Sequence, residues 1–225
     1  MLKIDLVFKG RRADEGLIDF YDAARALAGF QRSLALTTHL VLNNEIITQA
    51  PSAEGFQILI PPFEQGSWKA TAIVAFTTAV AITSAGRDSP LGQAVTSVYD
   101  AALMNTMGFH VDYSKTIQQQ IYEHSHDRGL TSEKIDSLCE KIENSVADMH
   151  RPIVVSETAG RAEVIQCGPS PKKLGPDFTA ISYEYVRQTI RNENDFISQG
   201  YVASYNVNTY KGRIFSLDER RLIPF

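Results

Sequence analysis

The sequence predicts an α+β protein that consists of an N-terminal β-α-β-β unit with a helical extension, followed by a small β-rich C-terminal unit. Three observations support this class. Apolar residues alternate near the start, recur at three- and four-residue steps through much of the middle, and near the end give way to aromatic and β-branched residues with tight turns. A chain of 225 residues with 44% hydrophobic and 21% charged residues has room for one large domain or a main domain plus a small one.

The first 76 residues predict a strand, a long helix and a hairpin. Apolar and charged residues alternate from 2 to 8, which is typical of a half-buried strand. One apolar stripe from about 17 to 43 indicates a long helix. Strands at 55–60 and 68–76 are joined by a proline- and glycine-containing loop. The apolar stripe of the helix consists of Phe20, Ala23, Leu27, Phe30, Leu34 and Val41, with Asp22, Arg25 and Arg32 on the opposite side.

The region from about 90 to 150 predicts a helical section. Ser89-Pro90 is a favourable helix start, and Thr131-Ser132 introduces another helix. After Pro152 the pattern changes to short strands, which we predict at 153–156 and 162–167.

The segment 168–176 contains three prolines and two glycines, and it is the strongest linker candidate in the chain. We therefore predict a main α+β domain over 1–168 and a small β-rich domain over 177–225. Residues 177–191 fit a helix or a strand equally well. Three predicted strands from 196 to 225 suggest a partial barrel of the OB or SH3 type.

Composition argues for an ordinary cytoplasmic protein. The net charge of -4 gives no overall attraction to nucleic acid, although a local basic patch remains compatible with it. The N-terminus has no apolar signal-peptide region. Cys139 and Cys167 lie 28 residues apart without metal-type pairing, and we expect two reduced, buried thiols. We expect no cofactor.

The stretch from Ser67 to Gly86 raises the question of a membrane span. Its uncharged run, from 70 to 85, has 16 residues, of which five are threonine or serine. A spanning helix needs roughly 20 predominantly apolar residues, so we predict a strand that leads into a buried, alanine-rich helix and no membrane span. A subunit contact is the alternative for part of it. The residues predicted for that oligomer interface are Trp68, Ala72, Phe76 and Ala79.

One polar cluster could bind a metal ion. On a strand, His124 and His126 would point to one face, with Asp127 beside them. The cluster resembles the H-x-H-x-D-H signature of metallo-β-lactamase folds, but Asp127 comes one position early and no histidine follows it. A solvated loop between two helices is the favoured interpretation. His110 and Asp112 form a second polar pair, for which a helix-ending turn is favoured over acid-base catalysis.

No catalytic residues are predicted. The sequence has no G-x-S-x-G elbow, no P-loop motif and no G-x-G-x-x-G motif. Pro176-Asp177 and Glu184 imitate part of a metal-dependent nuclease pattern, but Val186 occupies the position of the required lysine.

The C-terminal unit offers a possible nucleic-acid surface. Aromatic residues on a small barrel can stack bases while cations follow the backbone. Residues 172–221 carry eight cations against six acids, a balance of +2 that requires no such partner. The favoured alternative is that the aromatic residues build the small core of this unit. The candidate nucleic-acid-binding residues are Tyr201, Tyr205, Tyr210, Lys211 and Arg213.

Several segments together resemble a known group of sequences. These are Phe30-Gln-Arg-Ser-Leu34, the hairpin around Pro61-Pro62 and Gly66-Ser67, and the closing segments Gly200-Tyr-Val, Gly212-Arg-Ile and Ile223-Pro-Phe225. They resemble an uncharacterised family of bacterial proteins of the kind encoded in mobile-element or defence-associated regions. The resemblance implies a bacterial source and no particular activity.

The sequence therefore favours a non-enzymatic binding or assembly module that forms a homo-oligomer and acts with other bacterial proteins. The first alternative is a nucleic-acid-binding protein that uses the C-terminal barrel. The second is a metal-dependent hydrolase or nuclease.

Overall fold

The computed structural model describes residues 1–62, 68–77, 89–109, 130–187, 197, 199–206, 211–218 and 221–224. The chain divides into two compact units, Met1–Val186 and Arg187–Phe225. The predicted α+β class is confirmed, because antiparallel sheets and α-helices both form in these ranges.

The sheet of the first unit has five strands, and its first strand lies at the centre. All neighbouring strands pair antiparallel in the order β2-β3-β1-β4-β5. Asp5 of the central strand lies opposite Thr71 on one side and Ile165 on the other. Every second residue of that strand, from Leu2 to Phe8, is fully buried, as the alternating pattern predicts. The strands are β1 (Leu2–Lys9), β2 (Phe56–Leu59), β3 (Lys69–Phe76), β4 (Arg161–Gln166) and β5 (Lys172–Phe178).

The helices begin where the sequence provides capping residues. The Asp19 carboxylate accepts the Asp22 N–H at 3.0 Å, and the Ser89 hydroxyl accepts the Gly92 N–H at 3.1 Å. Both bonds satisfy amide groups that have no partner within the first helical turn. The α-helices in the described ranges are α1 (Phe20–Asn43), α2 (Pro90–Thr106), α3 (Ser132–Met149), α4 (Arg151–Val154) and α5 (Ala180–Arg187).

Close contacts join the helices to one another and to the sheet. Gly29 of α1 lies so near the backbone carbonyl of Ser145 in α3 that a Cβ atom there would overlap it. The Tyr99 hydroxyl of α2 lies 2.8 Å from Ser33 Oγ of α1, and both residues are buried. The Gly175 N–H of β5 donates to Asp100 Oδ1 of α2 at 2.7 Å. These contacts place the helices around one apolar core cluster, which residues of the sheet share.

Most of the predicted elements of the first unit are confirmed. The β-α-β-β order holds, and β2 pairs with β3 as a hairpin. Helices at 90–106 and 132–149 match the predicted helical section, whose residues 110–129 lie outside the described ranges. The strand predicted from 68 is β3, whereas the alanine-rich residues 78–88 lie outside the described ranges. In those ranges, helices long and apolar enough to cross a membrane are absent.

Two local predictions are wrong. The segment predicted as a linker contributes β5, because an edge strand tolerates Pro176 where a central strand would lose a ladder hydrogen bond. The strand predicted at 153–156 is instead the short helix α4, in which Pro152 occupies the first turn. Of residues 177–191, which fitted either type, 177–178 end β5 and 180–187 form α5, whereas 188–191 lie outside the described ranges.

The division between the units falls after Val186, whereas the sequence placed it between 168 and 177. The difference follows from β5 and from α5 up to Val186, which belong to the first unit. The second unit contains β6 (Gly200–Asn206), β7 (Lys211–Ser216) and β8 (Arg221–Pro224), which pair antiparallel in that order. Within its described residues these strands form an open sheet and no closed barrel.

Candidate protein-binding surface

Four large apolar side chains are exposed around the start of α1 and in the chain that follows α4. The Asp19 cap begins the helix at Phe20, so Phe20 and Tyr21 fall in the first turn. Phe20 is 87% exposed and Tyr21 is 64% exposed, although the sequence pattern placed Phe20 on the buried stripe. We call these four residues the aromatic patch: Leu17, Phe20, Tyr21 and Val155.

A partly buried ion pair, Asp22 with Arg151, adjoins the aromatic patch. Asp22 is 2% exposed, although the sequence pattern placed it on the polar side of α1. Its Oδ1 accepts the Arg151 Nε–H at 2.9 Å, and its Oδ2 accepts the Ser156 N–H at 3.0 Å. The Arg151 guanidinium carbon lies 5.3 Å from the centre of the Tyr21 ring, within cation–π distance. Asp22 thereby fixes both Arg151 beside the Tyr21 ring and the chain next to Val155.

Two non-glycine residues beside the aromatic patch adopt left-handed backbone conformations. Arg11 has φ 56° and Glu157 has φ 52°. The Arg11 guanidinium donates to the Glu157 carbonyl at 3.0 Å and to its carboxylate at 3.2 Å. Glycine would adopt this backbone with less strain, so the side chains are retained at an energetic cost. Retained strain of this kind is often found at functional sites.

Backbone hydrogen bonds join the same two chain segments. The Ala13 N–H donates to the Thr158 carbonyl at 3.0 Å, and the Asp19 N–H donates to the Thr158 hydroxyl at 3.3 Å. The Gly160 N–H donates to the Lys9 carbonyl at 2.8 Å. The aromatic patch therefore lies on a backbone that is held at several points, which is the preorganisation that a binding surface needs.

A shallow, open cleft of about 420 Å³ lies beside this region. Its lining consists of Lys9, Gly10, Asp14, Gly160 and Arg161. The charges in the cleft are compensated within the chain. Lys9 Nζ lies 2.6 Å and Arg161 Nε 3.6 Å from the carboxylate of Glu163, and Asp14 Oδ1 accepts the Gly10 N–H at 2.7 Å. The cleft therefore offers little uncompensated charge to an ionic ligand.

A serine–histidine pair resembles a nucleophile and its base, but it lies in the core. His150 Nε2 is 3.0 Å from Ser182 Oγ, and His150 Nδ1 is 2.7 Å from the Val146 carbonyl. His150 is fully buried and Ser182 is 4% exposed, so a substrate has no access to them. Burial lowers the pKa of His150 from 6.5 to about 4, against the opposing effect of its hydrogen bond to Val146. The neutral ring is a structural element.

Ser182 also completes the start of α5. Its hydroxyl accepts the Thr179 N–H at 2.8 Å, while the Thr179 hydroxyl accepts the Ser182 N–H at 3.2 Å. This reciprocal pair is the geometry of a capping box. The ring of His150 packs against Phe178 and Tyr183 at centroid distances of 4.8 and 5.6 Å. The pair therefore joins α3 to the turn between β5 and α5.

The predicted metal and acid-base candidates lie outside the described residues. These are His124, His126 and Asp127, together with His110 and Asp112. Within the described ranges, groups of three or more His, Cys, Asp or Glu side chains placed to hold a metal ion are absent. The nuclease-like pair Asp177 and Glu184 divides between β5 and α5, and Asp177 pairs with Lys173 at 2.6 Å.

Two of the four residues predicted for the oligomer interface are buried within the chain. Ala72 and Phe76 are 5% and 6% exposed and belong to the core cluster. Trp68 is partly buried, and its ring meets Phe8 edge-on at 5.3 Å. Their own chain covers Ala72 and Phe76, because alternate residues of β3 face the core, so these two are not available to a second copy. Ala79 lies outside the described residues.

The predicted nucleic-acid candidates lie in the three-stranded sheet where they can be described. Tyr201 and Tyr205 are 68% and 50% exposed. Tyr201 pairs with Phe215, but Tyr205 pairs with Gly212, because the register shifts between Val202 and Ser204.

Positions 215 and 212 lie on opposite faces of β7, so the two tyrosines do as well, and they do not form one stacking platform. Lys211 and Arg213 belong to the backbone of β7, and Tyr210 lies outside the described residues. Nucleic-acid binding stays a prediction.

Both cysteines are free thiols. Cys139 is fully buried, as expected, whereas Cys167 is only partly buried. Burial, followed by the hydrogen bond and charge of Asp5, raises the pKa of the Cys167 thiol to about 12. The thiolate, which is the nucleophilic form, is therefore disfavoured at this position.

The aromatic patch was not predicted from the sequence. Phe20 fits the apolar periodicity of α1, and periodicity alone does not tell the core side from an exposed first turn. One signal in the sequence could have indicated it. Asp19 is a preferred N-cap residue, and a cap at this position starts the helix at Phe20 rather than near residue 17, so that Phe20 falls in the first turn.

A family model matches most of the chain. The family model described as "Domain of unknown function (DUF7946)" matches residues 4–184. The matched range begins in β1 and ends in α5, so it covers nearly all of the first unit and contains the aromatic patch. No curated protein and no solved structure matches the chain.

Proposed function

The chain belongs to the family of domains of unknown function DUF7946, and on the geometry of its first unit we propose that it is a non-enzymatic assembly module that self-associates through the aromatic patch. The observation that carries the proposal is the 87% exposure of Phe20 in the capped first turn of a helix. Large aromatic side chains and arginine are the residues that most often dominate the energy of protein interfaces.

The charges around the aromatic patch favour a second copy of the same chain as the partner. The segments 11–19 and 151–157 carry three arginines and four carboxylates that lie at least partly at the surface, a near balance of opposite signs. An interface between two identical copies must be self-complementary, and a balanced rim can pair with itself across a two-fold axis. A strongly charged partner would have favoured a rim of one sign.

The exposed apolar area of the aromatic patch is comparable to the area that a specific protein interface buries. A large aromatic side chain offers roughly 150–250 Å². At the exposures of the four residues, the aromatic patch supplies on the order of half of the ~800 Å² that each partner buries in a specific interface. We therefore expect a reversible dimer whose remaining contacts come from the polar rim. An action together with other bacterial proteins, in the cytoplasm or in a defence system, stays a prediction from the sequence.

The test is the mass of the full chain in solution, measured by light scattering and by sedimentation over a range of concentrations. We expect a dimer whose dissociation constant rises at least tenfold in Phe20→Ser and in Tyr21→Ser. Ile181→Ser is the matched control, because Ile181 is 73% exposed on α5, outside the aromatic patch. A monomer at every concentration, or equal weakening by the control, would refute the proposal.

A further inference from the structure

His39, near the end of α1, is almost completely buried, and one of its ring nitrogens has no hydrogen-bond partner among the described residues. The residue is 3% exposed, and Nε2 is buried with no hydrogen-bond partner. The other nitrogen, Nδ1, lies 3.1 Å from the Glu54 backbone nitrogen and 2.9 Å from the Asn43 side-chain nitrogen. The same Asn43 amide donates to the Glu54 carbonyl at 3.1 Å. Both backbone polar groups of Glu54 are therefore held by the last turn of α1.

The partners of the ring determine which nitrogen carries the proton. A backbone N–H can only donate, so Nδ1 must accept from Glu54 and cannot itself bear a hydrogen. In the neutral ring the proton is therefore on Nε2. Within the described part of the chain, that N–H has no acceptor at hydrogen-bond distance, and the carboxylate oxygen Oε2 of Glu45 lies 4.0 Å away.

Protonation of the ring conflicts with these contacts. A proton added to Nδ1 would point at two donors, the Glu54 N–H and the Asn43 amide group. Turning the Asn43 amide to present its oxygen would break the bond to the Glu54 carbonyl. Glu45 is 72% exposed in its side chain, so it can turn toward Nε2 without unpacking the core.

We propose that His39 is a pH-sensitive switch. The neutral ring holds the chain at Glu54 against the end of α1, and the protonated ring releases that chain and pairs with Glu45. The segment between them, 44–55, leads directly into the edge strand β2. Among the described residues, the charged groups near this site are Glu45 and Glu54 in the segment itself, and Lys134 of α3, which contacts Asn44. Lys134 donates to the Asn44 carbonyl at 3.0 Å and to its side-chain oxygen at 2.7 Å.

The first test uses the unmodified full chain. Ring ¹⁵N chemical shifts near neutral pH should report the tautomer with the proton on Nε2, followed by protonation of the ring as the pH falls. Hydrogen exchange should show the protection factor of the Glu54 amide falling about tenfold or more over the same titration, which is the scale of one lost hydrogen bond. The Asn44 amide, whose hydrogen bond goes to the Leu40 carbonyl at 2.8 Å, is the internal control and should keep its protection.

Two variants test separately the titration of the His39 ring and its pairing with Glu45. In His39→Asn the side-chain oxygen can take the place of Nδ1 as an acceptor but does not titrate, so protection of Glu54 should no longer depend on pH. In Glu45→Gln the protonated ring loses its carboxylate, so the release of Glu54 should move to lower pH.

Three results would overturn the proposal. They are a neutral ring with its proton on Nδ1, protection of Glu54 that is unchanged while His39 titrates, and a ring that stays neutral throughout. If the pH midpoint for the loss of Glu54 protection is the same in Glu45→Gln as in the unmodified chain, Glu45 does not pair with the protonated ring. The measurements on the unmodified chain decide the question even if His39→Asn does not fold.

Discussion

Replacing His150 removes a titrating group that is buried where α3 meets β5 and α5. His150→Phe keeps a ring against Phe178 and Tyr183, and His150→Gln keeps polar atoms, but neither side chain titrates. Ser182 retains the Asp177 and Thr179 carbonyls as acceptors, at 3.2 and 3.1 Å, when the ring nitrogen is lost. We expect each variant to be less stable than the unmodified chain near neutral pH by about 1–2 kcal/mol, and we expect this difference to shrink in acid.

The sign follows from the direction of the pKa shift. The pKa of His150 falls from 6.5 to about 4 on folding, so the folded protein excludes a proton that the unfolded chain binds below pH 6.5. The contribution to stability is therefore fully present above pH 6.5 and is lost progressively down to about pH 4. At 1.36 kcal/mol for each pKa unit, the loss between about pH 7.5 and about pH 5 is about 2 kcal/mol.

The assay is urea unfolding of the unmodified chain and both variants at these two pH values, followed by tryptophan fluorescence. The chain contains a single tryptophan, Trp68, which packs on Phe8 in the first unit, so its signal reports the unit that contains His150. The unmodified chain should lose about 2 kcal/mol more than either variant when the pH is lowered, because all other titrating groups are common to the three proteins.

Equal losses of stability in the unmodified chain and both variants would refute the reasoning. They would mean that His150 takes up its proton as readily in the folded protein as in the unfolded chain. A direct check is the ring titration of His150 by NMR, in which the folded protein should keep a neutral ring well below pH 6.5.

Three further outcomes follow from particular contacts. Gly29→Ala should lower the free energy of unfolding by about 1–2 kcal/mol despite the better helix propensity of alanine, because the added Cβ meets backbone atoms of α3 that cannot turn away; chemical unfolding measures this. Glu157→Gly should raise the free energy of unfolding by about 0.5–1 kcal/mol by relieving the left-handed backbone, whereas Glu157→Ala should not; a rise with alanine would argue against strain. Cys167 should react with a thiol reagent at about pH 8 at least about a thousandfold more slowly in the folded protein than in denaturant, because its pKa is raised; equal rates would contradict the assigned environment.

The sequence predicts elements well where one local signal decides the outcome. The alternation from Leu2 to Phe8 specifies a strand with one buried face, and the serine-proline pair at Ser89 specifies a helix start. Prediction from the sequence fails where tertiary contacts determine the local structure. Pro176 reads as a linker residue, yet the edge position of β5 lets the sheet accommodate it.

The candidate site illustrates the same limit. The exposure of Phe20 depends on which elements pack against α1, and the apolar periodicity of a helix does not contain that information. The burial of Asp22 depends on Arg151, a partner 129 residues away along the chain. Pairings at such distances cannot be inferred from one sequence, because many combinations of charged residues are equally compatible with it.

The position of β1 in the middle of the sheet has a consequence for synthesis of the protein. One of its neighbours, β4, begins at Arg161, so the ribosome must add about 150 residues after β1 before that edge can pair. At about 5–20 residues per second, this interval lasts roughly 8–30 s. During it, β1 can pair with at most β3, and its opposite edge stays open to wrong partners. The nascent chain should therefore depend on chaperones before β4 emerges and much less afterwards.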